Sequence, residues 1–186
     1  MIIGIAGPTA SGKSTIAKLL EEKRGAFRIR YSMILSEIAR ERGEDPDDKA
    51  TLQHIYLSQR EIHGEDFLSK ELERRVIENK SPLIVIEGNR RIVDITTLED
   101  IAKRRKDNLM FLFIDAPIDV RFERYNNRLR EHGEDPIPHE AFIELENNSA
   151  EDEIVAGRDF FKKEGLLVDA SILSPEELFK LVDEHL

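Results

Sequence analysis

Short β-branched or aromatic runs alternate along this chain with longer stretches in which apolar residues return every three or four positions. The short runs are Ile2–Ala6, Phe27–Tyr31, Leu83–Glu87, Leu109–Asp115 and Leu166–Asp169. Five strands separated by amphipathic helices predict βαβ units, and hence an α/β protein whose parallel sheet is covered by helices on both faces. The third and fourth runs, LIVIE and LMFLFID, are apolar up to a terminal acid. Such runs suit central strands buried on both faces, and ligands of open parallel sheets collect at the carboxyl ends, where these acids lie.

The helices carry recognisable punctuation. Ser174-Pro175-Glu176-Glu177 places a capping serine, a proline at the first helical position and a glutamate three residues after the cap, predicting a last helix through Leu186. Pro46-Asp47-Asp48 opens a helix expected to run to about His63, where Gly64 ends it. Two segments depart from the alternation: the stretch from Gly43 past Gly64, and His132–Pro138, which interrupts two helices. With 186 residues, no internal repeat and no linker, the chain is expected to build one core and one domain over residues 1–186.

Composition narrows the partners. A formal net charge of −10 disfavours general nucleic-acid or anionic-membrane binding, so any charge that holds phosphate has to be gathered locally. The absence of cysteine excludes disulfides, thiolate catalysis and cysteine-ligated zinc, and the five histidines show no HxxxH or HExxH spacing. The apolar start is a strand's length without a basic leader, so it reads as neither a signal peptide nor a membrane span, and the cytoplasm is the expected compartment.

The decisive local signal is Gly7-Pro8-Thr9-Ala10-Ser11-Gly12-Lys13-Ser14, which fits G-x-x-x-x-G-K-[ST] directly between a predicted strand and a helix expected over Thr15–Lys23. In that setting the loop turns successive amides onto nucleotide phosphates, and the helix N-terminus adds about half a positive charge. Lys13 is expected to bridge the β- and γ-phosphates, Ser14 to offer its hydroxyl to Mg²⁺, and Thr15 to donate to the α-phosphate. GTPases, ATPases and kinases share this loop. The N-K-x-D tetrapeptide of guanine readers is absent, and a large motor or AAA-type ATPase would need more chain than this.

Strand three ends in Glu87-Gly88-Asn89-Arg90-Arg91. This resembles the D-G-x-x-R stretch of adenylate kinase and related nucleotide kinases, and implies an acid serving Mg²⁺ and an arginine holding phosphate. Glu87 stands for the usual aspartate, and Asp115 at the tip of strand four is the competing acid. After Asp115, the spacing of Arg121, Arg124 and Arg128 puts the three on one helical face. They resemble the LID arginines of nucleotide kinases, implying contact with ATP and, for Arg124 and Arg128, the transferring phosphoryl group. A solvated charged helix is the plain alternative.

Between strands two and three, Ser32 is expected to cap a helix over Met33–Glu41. Leu52-Gln53, Arg60, Gly64 and Asp66-Phe67-Leu68 resemble the L-Q…R…G-x-D-F/Y pattern of phage-type deoxynucleoside monophosphate kinases. Gln53 and Arg60, two helical turns apart, share a face suited to reading a base and clamping its phosphate. Either Arg30 or Arg40 stands in for an arginine that adenylate kinases carry near the capping residue. Lys103-Arg104-Arg105-Lys106 ends a helix, where cations complement the dipole, and is given no nucleic-acid role.

The resemblance to P-loop nucleotide kinases implies a three-layer α/β/α sandwich with strand order 2-3-1-4-5, an acceptor-binding excursion over about residues 32–80 and a LID over about 119–155. The function it implies is phosphoryl transfer from ATP with Mg²⁺ to a nucleoside monophosphate. A small-metabolite kinase resembling dephospho-coenzyme A kinase, and a nucleotide-dependent switch with little transferase activity, remain the other readings.

Overall fold

The computed structural model describes residues 1–147 and 152–186. Its five strands, β1 (Ile2–Ala6), β2 (Phe27–Arg30), β3 (Ile84–Glu87), β4 (Leu109–Asp115) and β5 (Leu166–Asp169), form one parallel sheet in the order β2-β3-β1-β4-β5. The helices among the described residues are α1 (Lys13–Arg24), α2 (Tyr31–Arg42), α3 (Lys49–His63), α4 (Phe67–Glu78), α5 (Ile92–Arg105), α6 (Ile118–Glu131), α7 (His139–Asn147), α8 (Asp152–Glu164) and α9 (Pro175–Asp183).

The strand periodicity of two sorts the apolar side chains into two cores. Val85, Leu112 and Ile114 meet α1 and α9 through Ile16, Leu20, Leu178 and Val182 on one face. Ile84, Ile86 and Phe113 meet Ile34, Leu72, Leu98 and Phe161 of α2, α4, α5 and α8 on the other. Burial on both faces is why the third and fourth runs are apolar without alternation. All carboxyl ends of a parallel sheet lie along one edge, so the loop after β1, the loop after β3 and Asp115 are gathered there.

The punctuation holds with shifts of one to three residues. Ser174 accepts from the Glu177 amide at 3.3 Å, but α9 stops at Asp183 rather than Leu186. Asp48 caps α3, its carboxylate accepting from the Thr51 amide at 2.8 Å. Ser32 is a correction: β2 passes into α2 without a loop, Arg30 takes the extended cap position, and Ser32 falls in the first helical turn with no capping role. The basic run at the end of α5 is structural. Arg105 donates to the Ser81 carbonyl at 3.2 Å and to the Asp107 carboxylate at 2.7 Å, tying α5 to the segment before β3.

Candidate phosphoryl-transfer site

The loop between β1 and α1 is shaped by its backbone. Gly7 has φ 144°, and a Cβ there would lie 2.1 Å from the Ile114 carbonyl oxygen, so only glycine lets the loop lie against β4. Ala10 is held at φ 60°, an uncommon conformation for a residue with a side chain and one that clusters at functional turns. The Thr15 and Ile16 amides open the helical bonding by donating to the Gly12 carbonyl at 3.1 Å, while Lys13 and Ser14, which precede them, line a cleft of about 460 Å³. That cleft is lined by Thr9–Thr15, by Lys13, Arg90, Arg124 and Arg128, and by Ala170, Leu173, Pro175 and Leu178. Four cations and no carboxylate line it in a chain whose net charge is −10, which is the local gathering that an anionic ligand requires.

Lys13 donates to the Pro8 carbonyl at 2.6 Å. Burial pushes its ammonium down to about 8, with Arg90 and Arg121 adding to the depression and Glu87 and Glu146 opposing it. A cation held among cations and out of water is destabilised until an anion arrives, which is the electrostatic setting of a phosphate receptor.

Ser14 donates to Glu87 Oε2 at 2.7 Å. Glu87, 3% exposed, thus touches the phosphate loop, whereas Asp115 accepts from the Ala116 amide at 2.9 Å and pairs with Lys162 at 3.4 Å. A hydroxyl and a carboxylate converging beside a phosphate cradle are the hard oxygen donors that Mg²⁺ takes. Among the described residues no three His, Asp, Glu or Cys side chains cluster as a metal cage, so such an ion would draw its remaining ligands from phosphate and water.

Of Arg121, Arg124 and Arg128 on α6, the last two line this cleft. Arg124 donates to the Ser11 carbonyl at 3.3 Å and the Ala170 carbonyl at 2.6 Å, and Arg128 stacks over the Tyr125 ring at 5.2 Å. Arg121 is placed apart from the other two. It is 8% exposed, donates to the carbonyls of Ala116 at 2.9 Å and Thr9 at 3.2 Å, pairs with Glu146, and does not line the cleft. The common face is real, but α7 packs Phe142 against Phe122 and Tyr125 and covers its lower end. Positions 148–151 of the expected LID lie outside the described residues.

A second cleft, about 660 Å³, opens between α2–α4 and the loop after β3. Ser32, Gln53, Arg90 and Arg91 all line it, with Tyr31, Tyr56 and the aliphatic Leu35, Leu52 and Leu68. Arg60 does not line it. It pairs at the surface with Glu65 at 2.5 Å, because two turns along α3 carry it past the cleft, so the shared helical face did not put Gln53 and Arg60 in one pocket. Arg30 lines the cleft and Arg40 does not. Burial first, and then the Asp94 carboxylate, push the Tyr31 hydroxyl well above its ordinary value, so it is neutral at all working pH.

Arg158 has no motif to announce it. It lies on α8 and, with Lys13, Arg90 and Glu146, lines a recess of about 70 Å³ beside the phosphate loop. The usable signal was its neighbour, a glycine inside a helix. A Cβ on Gly157 would stand 2.1 Å from the Arg90 carbonyl oxygen, so the glycine is what allows α8 to dock on the loop after β3. Gly157→Ala gains about 1 kcal/mol of helix propensity but forces apart two backbones, which cannot give way as a side chain can, at about 2–3 kcal/mol. The expected net is a melting temperature lower by about 3–6 °C. A variant at least as stable as the parent, by thermal melting, would show that α8 is not docked there.

The comparisons with known proteins agree with this geometry. A family described as AAA domain matches residues 3–154. This chain belongs to that family, AAA_18. The match corrects the expectation that an AAA-type domain needs more chain than this, since it lies within these 186 residues. A UPF0200 protein of Methanothermobacter thermautotrophicus is 27% identical over 132 residues, 70% of this chain and 63% of the relative. A second UPF0200 protein, from Saccharolobus islandicus, is 28% identical over 130 residues and is covered over 65% of its length. The chain therefore spans less than two thirds of these relatives. A cytidylate kinase of Pyrococcus furiosus is 28% identical, with 98% of this chain and 86% of that protein aligned. The solved shikimate kinase of Aquifex aeolicus has the same fold, with a TM-score of 0.54, 19% identity and coverage of 100% and 95%. So has a gluconokinase of Sinorhizobium meliloti, with a TM-score of 0.55, 15% identity and coverage of 96% and 86%. The fold is the α/β P-loop fold of small kinases. Among the described residues no helix is long and apolar enough to cross a membrane.

Proposed function

We propose that this protein is an ATP-dependent phosphotransferase acting on a nucleoside or deoxynucleoside monophosphate. One observation carries the reading: the phosphate-loop cleft and the cleft under α2–α4 meet at Lys13, Ser14 and Arg90, which line both. A hydrolase or a switch needs a single nucleotide cleft. A transferase needs two that converge where the phosphoryl group passes, with cations at the junction to neutralise its charge.

In this reading the triphosphate lies along the first turn of α1, and the adenine lies between Arg124, Arg128 and the apolar Leu173, Pro175 and Leu178. Magnesium bound with the nucleotide would screen phosphate charge, with Ser14 and Glu87 as its protein oxygen donors. Arg90, Arg91 and Arg30 hold the acceptor's phosphate, and Gln53 with Tyr31 and Tyr56 faces its base and sugar. Residues of about 32–80 then form the acceptor side and about 119–155 a lid whose closure excludes water. The likeness to a cytidylate kinase over nearly the whole chain supports a monophosphate acceptor. No nucleophilic side chain is called for, since the transition state is loose and catalysis rests on position and charge.

The test is an acceptor screen: ATP and Mg²⁺ with each common ribo- and deoxynucleoside monophosphate, and separately with dephospho-coenzyme A, scored for ADP. ADP that forms only with a nucleoside monophosphate is the expected result. Formation with dephospho-coenzyme A alone would reassign the acceptor cleft, and release at one rate with or without acceptor would sink the transferase reading.

A further inference from the structure

The Glu87 carboxylate is buried at the end of β3, and both its oxygens are engaged. Oε2 accepts from the Ser14 hydroxyl at 2.7 Å, while Oε1 accepts from Arg28 Nε at 2.6 Å and Nη2 at 2.5 Å. Arg28 lies on the edge strand β2, in register with Val85. Its side chain runs along the sheet to reach Glu87 two residues further on, passing Glu21 of α1 at 3.8 Å. It is itself only 17% exposed. No part of the site described above uses it.

A glutamate has one more rotatable bond than the aspartate expected at this position, and so more freedom to lose in holding one orientation. A cation fixed on the far oxygen removes that freedom and leaves the near oxygen facing the loop. We propose that Arg28 is a positioning residue: by holding Oε1 it fixes the Glu87 carboxylate and aims Oε2 at Ser14, so that serine and acid act as one oxygen pair toward the nucleotide's divalent cation. This inference rests on the phosphotransferase reading. Partners that orient metal-side ligands commonly change metal affinity about 10- to 100-fold when removed.

Calorimetry of ADP binding to the full chain, with excess Mg²⁺ and again with a chelator, tests it on the parent, Arg28→Met, Glu87→Gln and the double variant. Arg28→Met is expected to lose about 10- to 100-fold of the magnesium-dependent gain in affinity while keeping the affinity seen in chelator. That variant buries an unpaired carboxylate, so the double variant, which removes both charges, decides the matter if the single one does not fold. On the Glu87→Gln background, removing Arg28 is expected to change nothing further. A further loss there, or an equal loss with and without magnesium, overturns the assignment, because Arg28 would then act on the nucleotide or on the fold at large. A parent protein that binds no ADP even with magnesium overturns the phosphotransferase reading itself, and the two failures are thereby distinct.

Discussion

Lys13→Ala is expected to lower phosphoryl transfer about 10²- to 10³-fold, the usual cost of removing one fixed donor from a developing anion. The residue lies on both clefts, so its ammonium stands where the charge moves. The fold should not suffer. A lysine whose folded-state value is depressed to about 8 opposes folding when protonated, and among the described residues it makes no ion pair that truncation would break. Thermal melting should therefore show a midpoint equal to or above that of the parent, alongside the collapse of ADP formation. Activity within a few-fold of the parent would remove the phosphate-loop site from consideration, and a lost fold would refute the electrostatic account.

The second large effect is expected at Arg90, which lines both clefts and the recess that holds Arg158. Its amide donates to the Asp94 carboxylate at 2.7 Å and its carbonyl lies under Gly157, so the backbone is held from both sides while the guanidinium is left at the junction. An arginine that neutralises a transferring phosphoryl group contributes about 10³-fold or more to kcat. Arg124, Arg128 and Arg158 share the charge, so Arg90→Ala should fall near the lower end, at about 10³-fold. Steady-state kinetics with both substrates varied provide the check. A rise in acceptor KM with kcat unchanged would demote Arg90 to an acceptor anchor. Arg90→Lys should recover little, since a point charge cannot bridge two phosphates as a planar fork does.

Much of this was legible along the chain. The apolar runs marked the strands to within a residue, most plainly β1 and β3, where burial on both faces leaves no polar alternation to blur. The phosphate loop was legible because its chemistry is local: glycine geometry, a helix N-terminus and a lysine all fall within eight consecutive residues. The placement of Arg121 was not legible, because spacing assigns a face to a side chain but not what covers it, and α7 covers that end. The placement of Arg60 was not legible for a related reason, since two turns of α3 keep direction while moving the side chain about 10 Å along the axis.

What the sequence determined by itself, then, were the features encoded between neighbours: the strands, the caps of α3 and α9, the fold class and the phosphate loop. The partners that meet across long separations in the chain were decided by tertiary structure alone. Arg28 finds Glu87 because β2 lies beside β3, Ser14 finds Glu87 because β1 lies between β3 and β4, and Arg158 finds Lys13 because a glycine lets α8 approach the Arg90 carbonyl. Such encounters depend on strand order and on the depth of packing, quantities that hydrophobic period and spacing do not carry.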